Sequence, residues 1–173
     1  DGSLEPYHDT LRRAVEAELQ APLKTQRHAG LADALEAAGA VDPELLALHL
    51  HGAGRPEAAA TQATRGAERA MSALAFHHAA QLYAKSLEWA PSQPGARGVK
   101  AALGDALSNA GRGEGAAEAL LAACEGAQPT EQLELRRRAA GQLLRSGHLA
   151  RGLALTRAVL EAQGLSLANT PRG

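Results

Sequence analysis

Slid against itself, the chain is self-similar at an offset of about 36 residues, and this period constrains the fold more than any other feature. Leu103, Gly104, Leu107, Gly111, Ala116, Leu120 and Ala123 recur as Ala139, Ala140, Leu143, Gly147, Gly152, Thr156 and Val159. An earlier copy reads Gly66, Ala67, Ala70, Ala79, Tyr83, Ser86 and Pro91. A unit of this length is one supersecondary element, and it buries its apolar face only by stacking on a neighbour. Small residues stand where two helices of a unit would cross, and larger ones where neighbouring units would pack. A glycine between them supplies the positive φ that a tight turn needs.

Composition makes the unit helical. Hydrophobic residues are 45% of the chain but aromatics only 2%. Alanine and leucine dominate and isoleucine is absent, which favours helices over strands. Glycine and proline punctuate the chain at hairpin intervals. The pattern predicts nine helices, near 7–20, 22–39, 44–52, 56–72, 75–90, 97–110, 114–125, 130–146 and 149–163. In the second, Leu31, Ala34, Leu35 and Ala38 are expected on the apolar face. Asp42-Pro43 reads as a cap followed by a first-turn proline, and Thr130 as a cap with acids behind it. The expected fold is all-α, with antiparallel helical hairpins stacked into a solenoid.

This pattern resembles the tetratricopeptide repeat, carried here by Ala79, Tyr83 and Pro91 and by Leu103-Gly104, Gly111 and Ala116. The family's tryptophan near each repeat start is missing, since Trp89 lies elsewhere. Repeats would span about 60–93, 97–130 and 133–166 within a region 56–166. A second resemblance lies upstream, in Glu5-Pro6-Tyr7-His8-Asp9, Arg12 and Val15, in Arg27-His28, Leu31-Ala32 and Leu35, and in the stretch Leu46 to Ala59. These phrases are similar to the part that follows the ATPase and winged-helix domains in bacterial signal-transduction ATPases. The tail, Gly164 to Leu167 with Thr170-Pro171-Arg172, is similar to the linker after the repeats of large serine/threonine kinase–ATPase hybrids. The resemblance implies that 1–55 is a connector, 167–173 a linker, and the whole a non-catalytic segment of a multidomain bacterial signalling protein. A stand-alone scaffold joining partners without a switch is the alternative.

Other chemistry is weak. Net charge is −1, from 18 basic and 19 acidic residues, so no long-range field draws the chain to nucleic acid or an anionic membrane. The run Arg136-Arg137-Arg138 points three ways on a helix and reads as a solvated face. The lone Cys124 fits a buried site in a reducing, cytoplasmic setting. No long apolar stretch or signal peptide is seen, and the only methionine is Met71, so the chain is expected to be part of a larger protein. Gly111-Arg112-Gly113-Glu114-Gly115 joins two helices and lacks the ending of a phosphate loop. Seven histidines include the pairs His49/His51 and His77/His78, whose spacings diverge on a helix, so no metal site or other cofactor is expected. His8-Asp9 has no nucleophile to serve.

Binding remains. The resemblance to tetratricopeptide repeats implies that the first helix of each repeat lines a concave groove. That rule places Glu68, Met71, Asp105, Ser108, Asn109, Glu134, Arg137, Leu144 and Arg145 toward it. They would hold a protein or peptide partner, or a neighbouring domain of the same chain, by directed hydrogen bonds and rim charges. An ordinary solvated face is the competing reading. Asn109 has no paired lysines, so the clamp some family members use for a terminal carboxylate is absent.

Overall fold

In the computed structural model, residues 21–39 and 42–166 are described. The expected helix at 7–20, the His8-Asp9 pair and the expected linker at 167–173 lie outside them. Eight α-helices follow in order: α1 Ala21–Ala38, α2 Pro43–Gly52, α3 Pro56–Ser72, α4 Phe76–Trp89, α5 Ala96–Asn109, α6 Gly113–Ala122, α7 Pro129–Arg145 and α8 Leu149–Glu161. Each packs on its neighbours in sequence, α1 on α2 through to α7 on α8, so the chain is a stack of antiparallel helical hairpins.

Helix starts follow local chemistry. The Asp42 carboxylate accepts from the Glu44 amide at 3.3 Å, and Pro43, Pro56 and Pro129 each occupy the first turn, where no amide is needed. Thr130 is not the cap of α7. Pro129 already fits the first turn, so the helix opens one residue earlier and Gln128 becomes the flanking residue. α6 ends at Ala122, short of the expected Glu125, and a turn through Gly126 (φ 69°) closes it. Cys124 thus sits just beyond α6. It is buried, donating weakly to the Leu120 carbonyl at 3.5 Å, and burial pushes its thiol pKa up.

The hairpin turns carry the repeat most plainly. After α3, α5 and α7 an amide bonds the carbonyl five residues back: Ala75 to Ala70, Arg112 to Leu107, and His148 to Leu143, each at 2.8 Å. The residue before each amide has positive φ: Leu74 at 59°, Gly111 at 75° and Gly147 at 85°. Leu74 holds a position that glycine fills elsewhere, which hides the first repeat's turn from the sequence pattern.

Alanine and leucine build the core in shared layers. Ala67, Ala79, Tyr83, Ala106, Leu107 and Ala116 join α3 to α6; Ala117, Leu120, Leu135, Ala139 and Leu143 continue through α7, with Leu155 of α8 packed against them. Ala32, Leu46, Leu50 and Ala59 form a third group with Leu35 and Trp89. The buried face of α1 is set by Ala32 and Leu35, while Leu31, Ala34 and Ala38 are exposed. Among the described residues, one polar side chain lies inside. Ser86 donates to the Ala60 carbonyl at 2.9 Å and meets the Thr64 hydroxyl and the Gln93 amide, each at 2.8 Å. With one donor and two lone pairs, that hydroxyl is fully used, and it ties α3, α4 and the following loop together.

Candidate protein-interaction surface

The nine residues expected in a groove lie on α3, α5 and α7, the first helices of successive hairpins. The structure divides them by role. Met71 packs against the core group of α3 to α6. Leu144 lies over Gly152 of α8, 2.7 Å from where a β-carbon would stand, so it serves its own hairpin. Asp105 forms an ion pair with Arg138, and Ser108 a hydrogen bond with Gln142. Both links run from α5 to α7 and fix the spacing of adjacent first helices.

Glu134 and Arg137 pair with each other along α7, at 2.6 and 2.8 Å, and that bond first of all holds the Glu134 carboxyl below its usual range. Glu68, Asn109 and Arg145 are exposed. Glu68 and Asp105 both bear on Tyr83, whose phenol pKa is raised by burial and then by these two carboxylates. Arg145 and Ser108 line a cleft of about 210 Å³ with Gly111, Gly113, Gln142 and Ser146.

The sequence pattern did not reveal a larger cleft, about 890 Å³, between the start of α2, the second half of α3 and the start of α4. Asp42, Glu44, Arg65, Glu68, Arg69 and His78 line it. His78 meets both Glu44 carboxylate oxygens at 2.8 Å, and Arg69 reaches Asp42 at 3.5 Å. These partners lie 34 and 27 residues apart, beyond any local signal.

The histidines go separate ways. His49 turns to His28 of α1, with Nδ1 atoms 3.0 Å apart, while His51 stacks on Trp89 of α4 with ring centres 4.4 Å apart. Gly52 makes room for His28, since a β-carbon there would stand 2.5 Å from its ring. Among the described residues no three His, Cys, Asp or Glu side chains gather as a metal site.

One of the two facing Nδ1 atoms must donate and the other accept, so a second proton has no acceptor there. Burial, then the neighbouring His28, lowers the His49 pKa from its ordinary 6.5. Folding thus favours neutral His49, while the unfolded chain takes up a proton below 6.5. Stability from this contact is full above that pH and falls as acidity carries the folded protein toward the lowered value. Urea midpoints measured from pH 7.5 to 5.0 should decline more steeply in the wild type than in His49→Gln; parallel curves would refute the coupling.

No family model matches the chain, nor does any curated protein. Among solved structures it is similar to a putative kinesin light chain with nearly identical TPR-like repeats from Podosopora anserina, at 13% identity and TM-score 0.48, covering 90% of this chain and 92% of that one. A variant of the same protein matches at 12% identity with the same TM-score and coverage.

Proposed function

We propose that this chain is a non-catalytic, protein-binding helical repeat that regulates a multidomain bacterial signalling protein, an ATPase or a serine/threonine kinase, in the cytoplasm. On this reading residues 1–55 connect it to the catalytic part, 56–166 bind the partner and 167–173 lead onward. The observation that carries the binding function is the pair of bridges from α5 to α7, Asp105 to Arg138 and Ser108 to Gln142. They hold α5 and α7 in place, so that Asn109 and Arg145 project from a surface already organised. A fixed polar row binds an extended segment with less ordering cost than a mobile one. The phrases at 5–35 and 46–59 support the signalling parent. Regulation would follow from a partner's differential affinity for two states of the neighbouring ATPase, and can be no larger than that difference.

The sharper test is at Arg145, because reversing Asp105 also breaks its bridge to Arg138. A partner captured by the wild-type chain should bind Arg145→Glu at least about tenfold more weakly. Equal affinity would move the surface away from α5 and α7. Reading the coding sequence upstream of Asp1 tests the parent: a phosphate-binding loop or kinase motifs support the switch, and their absence leaves the scaffold.

A further inference from the structure

Two imidazoles from different helices meet nitrogen to nitrogen where α1 packs on α2. Nδ1 of His28 and Nδ1 of His49 stand 3.0 Å apart, with ring centres 5.1 Å apart and ring planes inclined at 44°. The two residues are 21 apart in sequence, so packing of the hairpin, and not helical spacing, brings them together. Both are half-buried. The place of each ring is set by its surroundings. A β-carbon at Gly52 would stand 2.5 Å from the His28 ring, so this glycine lets the ring reach its partner. Ala32 of α1 and Leu46 and Leu50 of α2 share one buried apolar group with Leu35, which fixes the spacing of the two helices.

In the chain alone one Nδ1 donates to the other. The same spacing also suits a shared metal ion. Two nitrogens each about 2.0–2.1 Å from a metal lie about 3.3 Å apart at a tetrahedral angle, and about 2.9 Å apart at a right angle. At 3.0 Å the pair matches two neighbouring corners of a square-planar or octahedral ion. Nitrogen ligands in that geometry favour copper(II) or nickel(II) over tetrahedral zinc. We propose that His28 and His49 form a two-nitrogen site for a divalent copper or nickel ion, which clips α1 to α2. The ring that donates moves its proton from Nδ1 to Nε2, so both Nδ1 lone pairs face the ion and no net proton is released. Water fills the remaining corners. The other histidines of α2 and α4 take no part: His51 stacks on Trp89, His77 meets Gln81 and His78 meets Glu44. The site is separate from the row on α3, α5 and α7.

The probe is copper(II) iminodiacetate, whose chelator fills three corners and leaves room for two neighbouring protein nitrogens. Titrated into the tag-free 173-residue chain, it should saturate at one copper per chain. Pulsed electron paramagnetic resonance should then show two coordinated imidazoles. His28→Asn and His49→Asn each keep an amide that can bond the remaining ring. Either should bind copper at least about tenfold more weakly, because the second nitrogen no longer adds its effective concentration. His77→Ala, at an exposed position of α4, should bind as the wild type does. The imidazole count is read on the wild-type chain, so it decides the question even if a substitution loosens α1. A single coordinated imidazole, absence of saturation, or undiminished affinity in either Asn variant overturns the proposal and leaves the pair as a hydrogen bond.

Discussion

Leu120→Ala is expected to lower the free energy of unfolding by about 3 to 4 kcal/mol, the middle of the range for removing a buried leucine. Leu120 is only 1% exposed and belongs to the layer shared by α6 and α7. Its neighbours decide the magnitude. Ala117, Ala123 and Ala139 are fully buried and have no rotamers with which to refill the space. The cavity closes only if whole helices move, and the turns at Gly111 and Gly147 oppose that. Urea unfolding followed by circular dichroism provides the measurement. A loss below about 1 kcal/mol would mean that the hairpins close over the gap and that the layer is softer than its packing implies.

Gly104→Ala carries the second large effect, and its sign is the informative part. Alanine in a helix is intrinsically better than glycine by about 1 kcal/mol. Here a β-carbon would lie 2.7 Å from Leu120 Cγ and 3.2 Å from the Ala116 carbonyl oxygen. Overpacking of this kind costs about 1 to 3 kcal/mol, so after the propensity gain a net loss of up to about 2 kcal/mol is expected. Gly98 provides the control, since it sits in the same helix with nothing within 4 Å of its added β-carbon. Gly98→Ala should therefore stabilise by about 0.5 to 1 kcal/mol. In a Leu120→Ala background the closest contact is gone, and adding Gly104→Ala should cost little. The resulting coupling of about 1 to 2 kcal/mol marks the two residues as one contact. Additive effects would show that the Ala116 carbonyl, and not Leu120, limits the approach.

Gly104 shows how far the sequence could be read. Its recurrence in the repeat marked it as a small residue at a crossing, and Leu120 as a large one in a packed layer. That they touch each other follows only from how closely α5 and α6 approach. Gly52 was legible as a helix stop but not as the seat of the His28 ring. The candidate surface divided in the same way. Its nine residues lie on α3, α5 and α7, yet Met71 and Leu144 are packing residues, and Asp105 and Ser108 bridges. Helical phase alone does not separate these roles, because a half-turn boundary decides whether a side chain reaches solvent, its hairpin partner or the next repeat.

The sequence by itself determined the all-helical class, the positions of all eight described helices to within a few residues, and the hairpin repeat. Those rest on interactions within one or two turns of chain: propensity, caps, proline and the positive φ of turn glycines. Only the tertiary structure decided which polar groups meet. Asp105 finds Arg138, Glu44 finds His78, and Glu114 finds Arg151 at 2.6 Å, across 33, 34 and 37 residues. Such pairs depend on the offset and rotation between successive hairpins, which alanine-rich contacts set by how closely the helices approach. The repeat period fixed that the chain stacks, and the close approach at Gly104, Gly113 and Gly152 fixed how.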